Sequence, residues 1–155
     1  MKKQLRGFTL VELLVAVGII GVLASVSVVS IGSVRQKGRD AKRISEIREI
    51  QKALEGYFST RNSYPATGEG ITYSLGGVGG NYIVFCDTDA GFQADTANCR
   101  TTFMARVPAD PMNTGATIYR YASVDGSSYN VTFSLETRTG DFNAGAHTAT
   151  PGGIQ

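Results

Sequence analysis

Residues 8–34, FTLVELLVAVGIIGVLASVSVVSIGSV, form an apolar run of 27 positions whose single charge is Glu12. A helix needs roughly 20 apolar residues to cross a bilayer core about 30 Å thick, so the run is long enough to span one. Beyond it the pattern changes. In residues 39–58 apolar side chains recur at Ile44, Ile47, Ile50, Leu54 and Tyr57/Phe58, the three- and four-residue spacing of an amphipathic helix. Asp40–Arg43, Glu49–Lys52 and Lys52–Glu55 stand three apart and are expected to pair on its exposed face. Gly38 marks a candidate bend, and Pro65 cannot continue a helix. Residues 66–80 read as a Gly- and Thr-rich loop. Residues 81–86, 116–124 and 129–136 read as strands, the last two flanking Asp125-Gly126-Ser127-Ser128, a hairpin signal. In the last strand Tyr129, Val131, Phe133 and Leu135 alternate with polar residues, giving one buried and one wet face. The expected fold is α+β: a long N-terminal helix, half transmembrane and half amphipathic, packed on a small antiparallel β-sheet.

Charge is segregated behind a net value of +2. Residues 1–7 hold Lys2, Lys3 and Arg6. Residues 35–58 hold seven basic and four acidic side chains, and residues 59–155 hold five against eight. The head is therefore mildly acidic, which argues against a dedicated nucleic-acid surface. His147 is the only histidine and no CxxC or Cys/His cluster is present, so no metal site, cofactor or catalytic triad is expected. Cys86 and Cys99 are an even pair in a polar region. In an exported domain they suggest a disulfide; two unrelated buried thiols are the other reading. A bond between them would close a loop with little apolar content, at a gain of roughly 3 kcal/mol. Asp87, Asp89 and Asp95 in that loop lack the ligand spacing of an EF-hand, and solvated loop acids are the better reading.

Three readings of the apolar run compete. A secretory signal has an apolar region of about 7–15 residues, about half of what is present. A plain membrane anchor explains the length and leaves Glu12 without a purpose, although a carboxylate in lipid costs roughly 2.5–3.5 kcal/mol and is functional by default. A filament-forming helix gives that carboxylate a partner.

The start of the run, Lys2-Lys3-Gln4-Leu5-Arg6-Gly7-Phe8-Thr9-Leu10-Val11-Glu12, resembles the leader and first mature residues of type IV pilins and type II secretion pseudopilins. The resemblance implies cleavage by a prepilin peptidase between Gly7 and Phe8, N-methylation of Phe8, and a role for Glu12 in filament assembly. It divides the chain into a leader (1–7), a transmembrane and filament-core helix (8–34), an amphipathic helix continuing into the head (35–58), and a β-sheet head with a disulfide loop (59–155). Cleavage removes three cations that would be costly in an apolar bundle and leaves one α-amino group. Glu12 can pair with that amine on its own helix, four residues away, or on a neighbouring subunit; the resemblance favours the neighbour. Gly18, Gly21, Ala24, Ser25 and Ser27 offer small surfaces for close helix approach.

Arg35, Lys37, Arg39, Lys42 and Arg43 outnumber the leader's cations, and by the positive-inside rule would hold the head in the cytoplasm. Asp40 and Glu46 in the same stretch, the cysteines and the resemblance point to export instead. Val107-Pro108-Ala109-Asp110-Pro111 and Tyr119-Arg120-Tyr121 also resemble the major pseudopilin of type II secretion, with Met112 where that protein typically has Trp. The leading expectation is a structural subunit of a type IV pilus, serving adhesion, motility or DNA uptake. The alternative is a type II secretion pseudopilin, and a membrane-anchored binding domain ranks third. Implied partners are further pilin subunits, the prepilin peptidase, an assembly platform and the membrane. The implied location is the inner membrane with the head outside the cytoplasm, then an extracellular or periplasmic filament. An enzyme is not expected.

Overall fold

The structure, a computed structural model, describes residues 7–77, 82–114 and 117–155; the side chains of 26–30 lie outside that description. The expected leader cations Lys2, Lys3 and Arg6, and the ends of two expected strands at Asn81 and Ala116, fall outside the described residues. Contacts divide the chain into Met1–Gln36 and Lys37–Gln155.

One helix, α1 (Leu10–Arg61), enters both units and is unbroken through Gly38. It ends three residues beyond the expected Phe58. Asn62 takes the left-handed conformation (φ 55°) and donates its N–H to the Phe58 carbonyl at 2.7 Å, closing the last turn as a left-handed cap does. Within the second unit the buried positions of α1 are Asp40, Arg43, Ile47, Ile50, Leu54 and Tyr57, an alternation of three- and four-residue steps that defines one face.

That face packs with two antiparallel sheets. The larger has the order β1-β5-β6-β7-β8, formed by Tyr73–Ser74, Arg120–Ala122, Asn130–Leu135, Gly145–Thr150 and Gly153–Ile154. In β6, Val131, Phe133 and Leu135 are buried while Asn130 and Thr132 are exposed, so the alternation in the sequence becomes the two faces of the sheet. The smaller sheet has the order β3-β2-β4, formed by Phe92–Gln93, Val84–Cys86 and Thr102–Met104. Its Phe85 stacks on Phe92 with ring centroids 4.4 Å apart and lies 5.4 Å from Tyr57 of the helix. Tyrosine hydroxyls close the polar side of this core. Tyr119 donates to Glu46 (2.7 Å), Tyr64 to Glu55 (2.9 Å), Tyr121 to the Pro65 carbonyl (2.9 Å) and Tyr57 to the Thr88 carbonyl (2.8 Å).

Asp40 and Arg43 correct the sequence reading. They do pair, at 2.7 Å, but both are fully buried rather than on the exposed face. They occupy the head-facing stripe seven and four residues before its first buried isoleucine, Ile47, and the head supplies their partners. Arg43 grips Asp110 with two nitrogens, at 2.6 and 3.1 Å, and reaches Glu136 at 2.6 Å. Arg39 binds the same Glu136 at 2.5 and 2.7 Å. Asp40 accepts the backbone N–H groups of Glu136 (2.9 Å) and Thr137 (2.8 Å), and Asp110 those of Met112 (2.8 Å) and Asn113 (3.1 Å). Burial disfavours ionised Asp40 and Asp110, but these hydrogen bonds outweigh it and hold both below the usual carboxylate range. The Arg39 hydrogen bond, with help from Arg43, draws Glu136 down to about 2.

Two measurements check this packing. Gly91 has φ 68°, and a Cβ there would lie 2.3 Å from a Pro65 carbon; Gly140 has φ 60° but open space. Gly91→Ala is expected to lower unfolding stability by about 3 kcal/mol or more and Gly140→Ala by about 1 kcal/mol in denaturant titrations. The depressed carboxylates contribute stability that is present above their unfolded pKa, about 4, and lost as pH falls towards the folded value of Glu136, about 2. The melting temperature of the full chain is therefore expected to be flat from about pH 7 to 5 and to fall between about pH 4 and 2. Glu136→Gln is expected to lower it throughout the neutral range and to flatten part of that fall.

Candidate assembly segment

In the first unit Thr9 is the N-cap of α1 and Glu12 its third helical residue. The Thr9 backbone N–H donates to Glu12 Oε2 at 3.1 Å and the Thr9 hydroxyl donates to the same oxygen at 2.9 Å; Glu12 N–H donates back to Thr9 Oγ1 at 3.3 Å. This reciprocal arrangement is a capping box. It satisfies two backbone donors that the first turn of a helix would otherwise leave open. The acidic group also sits at the positive end of the helix dipole. Reading Glu12 only as an amine partner missed Thr9, although Thr9-x-x-Glu12 ahead of an apolar run carries that signal.

Phe8 is 85% exposed, and a Cβ on Gly7 would meet no atom within 4 Å. The junction between them is open. The helix that follows is apolar on every side. Leu10, Val11, Leu13, Val15, Ile19 and Leu23 are each more than half exposed, and at 100° per residue these positions circle the axis. A helix apolar all round belongs in a protein interior or a membrane, and none of the described residues of this unit buries these side chains. Gly18 and Gly21 would have open space at their Cβ positions. The Ser25 hydroxyl donates to its own helix, to the Val22 carbonyl at 2.7 Å. Among the described residues no helix is long and apolar enough to cross a membrane.

In the second unit Cys86 and Cys99 form a disulfide, their Cα atoms 5.5 Å apart. Its loop is tied to the end of α1, where Arg61 pairs with Asp89 at 2.6 Å and donates to the Asp87 carbonyl. Asp87 accepts the Arg100 N–H at 2.9 Å and Asp95 that of Ala97 at 2.9 Å, so these acids serve the turn. Among the described residues no group of three or more His, Cys, Asp or Glu is placed to hold a metal ion. His147 stands between Phe133 and Phe142, with ring nitrogens 2.8 Å from the Asn143 carbonyl and 3.1 Å from that of Gln155.

Residues 2–28 match the family model "Prokaryotic N-terminal methylation motif". The span contains the Gly7–Phe8 junction, Thr9 and Glu12. Three curated relatives carry the name type II secretion system core protein G. That of Pectobacterium carotovorum is 39% identical over 66 residues, 43% of this chain and 42% of the relative. That of Aeromonas hydrophila is 36% identical over 70 residues, 45% and 49% of the two chains. That of Escherichia coli K12 is 39% identical over 66 residues, 43% and 46%. The chain thus spans a little under half the length of these relatives. No solved structure matches it. A methylation motif at the head of an exposed apolar helix, together with these relatives, supports the resemblance of the chain to type IV pilins and type II secretion pseudopilins.

Proposed function

We propose that the chain is a structural pseudopilin: a membrane-inserted precursor, cut between Gly7 and Phe8 and methylated at Phe8, that assembles with further copies into the filament of a type II secretion system. The observation that carries the proposal is the all-round apolar helix behind the methylation motif. Such a surface needs lipid before assembly and other helices after it. The pilus was the leading expectation from the sequence. The secretion reading is preferred because the relatives named above belong to type II secretion systems. The family is structural, so no catalysis is proposed.

The chemistry of the start of the chain supports an order of events. Lys2, Lys3 and Arg6 keep the uncut N-terminus in cytoplasmic water. The head lies outside the cytoplasm, and the run from Phe8 spans the inner membrane. Cleavage replaces three cations by one amine. In an apolar filament core that amine finds Glu12 of a neighbouring copy, which removes most of the penalty of burying either charge alone. The capping box leaves room for this. Both Thr9 bonds fall on Oε2, and a carboxylate has about four acceptor positions, so Oε1 can take the amine with the cap intact. Copies pack through the open surfaces at Gly18 and Gly21, where close backbone approach substitutes for a hydrophobic driving force that lipid does not provide.

Mass spectrometry of the mature protein is expected to give a chain beginning at N-methylated Phe8; an intact Met1 would refute the processing. Glu12→Gln keeps a side chain able to close the capping box but lacks the charge. It is expected to insert and be cleaved normally and to yield at least about tenfold less filament, since an unmatched amine in the core costs several kcal/mol. Wild-type yield from that variant would contradict the pairing. Deleting the gene in its host is expected to leave exported enzymes trapped in the periplasm with twitching motility intact. The reverse phenotype would restore the pilus reading.

A further inference from the structure

In the second unit the head-facing stripe of α1 begins with ions and continues with hydrocarbon: Asp40 and Arg43 precede Ile47, Ile50 and Leu54, all fully buried. Residues 37 and 38, just before, are exposed. The two kinds of contact differ mechanically. Apolar burial is non-directional and tolerates sliding, whereas a two-nitrogen grip on a carboxylate fixes both angle and register. Arg43 holds two separate parts of the head. One is the Asp110 turn ahead of β5, the other Glu136 just after β6. Asp40 takes backbone N–H groups from that second part as well. Arg39 adds a clasp on the partly exposed rim, through Glu136.

We infer that this five-residue cluster, Arg39, Asp40, Arg43, Asp110 and Glu136, is a latch that sets the register of the helix on the head and keeps its first turns from peeling away. The latch opens as one unit. Lifting Arg43 leaves Asp110 buried without its counter-ion, and lifting Asp40 leaves the N–H groups of residues 136 and 137 unpaired. A partly satisfied charged network is worse than either extreme. Any force applied along the helix passes into the head at this cluster before it reaches the isoleucines. The inference concerns the second unit alone and stands whether the filament serves secretion or motility.

Hydrogen exchange of the full mature chain in detergent micelles at neutral pH tests it, with wild type compared against Arg43→Met, Arg39→Gln and Ile50→Ala. Local opening raises exchange only where amides are released. In Arg43→Met the amides of residues 40–47 are expected to exchange about thirtyfold faster, with the β6–β7 ladder unchanged; Arg39→Gln is expected to give a smaller rise, about threefold, over the same residues. Ile50→Ala is expected to raise exchange evenly over helix and sheets. Should Arg43→Met fail to fold, Arg39→Gln decides by the same criterion. Unchanged protection at residues 40–47, or a rise shared evenly with the sheets as in Ile50→Ala, would overturn the inference.

Discussion

The constraint on which the rest depends is a helix with no polar side. In its first unit α1 exposes Leu, Val and Ile in every direction, and water is a poor neighbour for all of them. Burying a side chain of this size is favourable by about 1.5–3 kcal/mol, so the sum over the segment drives it towards lipid or other helices. Glu12 is the exception that gives the segment direction. Its carboxylate sits where the helix begins, held by Thr9, beside an exposed Phe8. The proposed insertion, processing and assembly would be successive answers to one problem: where the apolar surface and its single charge find suitable surroundings.

The second unit solves a different problem with the same element. Its stretch of α1 has one dry stripe, and two small sheets cover it. Aromatic rings from β2, β3 and β5 fill the space, hydroxyls of four tyrosines tie off its margins, and a disulfide closes the polar loop beside the helix end. Arg43 and its carboxylates add directional bonds at one end of the stripe, where hydrocarbon alone would set position loosely. Cores of this size tolerate hydrophobic exchange better than the loss of one member of a buried ion network, so Arg43 and Asp110 are the less replaceable part of the interface.

Much of this was legible in the chain. Periodicity placed Ile47, Ile50, Leu54 and Tyr57 on one face and gave β6 its two sides. The N-terminal motif carried the family resemblance. Three features were hidden for physical reasons. Asp40 and Arg43 continue the buried stripe, but a pattern read in apolar residues stops where the stripe becomes charged; only the distant Asp110 and Glu136 make those positions buriable. β7, Gly145–Thr150, buries just Ala149, so its sequence lacks alternation. Its place is set by a five-residue ladder to β6 and by the return of β8, which are non-local. In the three-stranded sheet β2 falls within the expected strand 81–86, but its partners β3 and β4 are two and three residues long, too short for a period to show.

The central claim is that the apolar surface around residues 10–23 is covered by the same surface of other copies. Cysteine substituted singly at Val11, Leu14, Val15 and Gly18, followed by oxidation of assembled filaments and non-reducing electrophoresis, tests it most directly. Intersubunit crosslinks from positions on more than one side of the helix, absent in unassembled membrane protein, are the expected result. Filaments that form normally with none of these positions crosslinking would contradict the account.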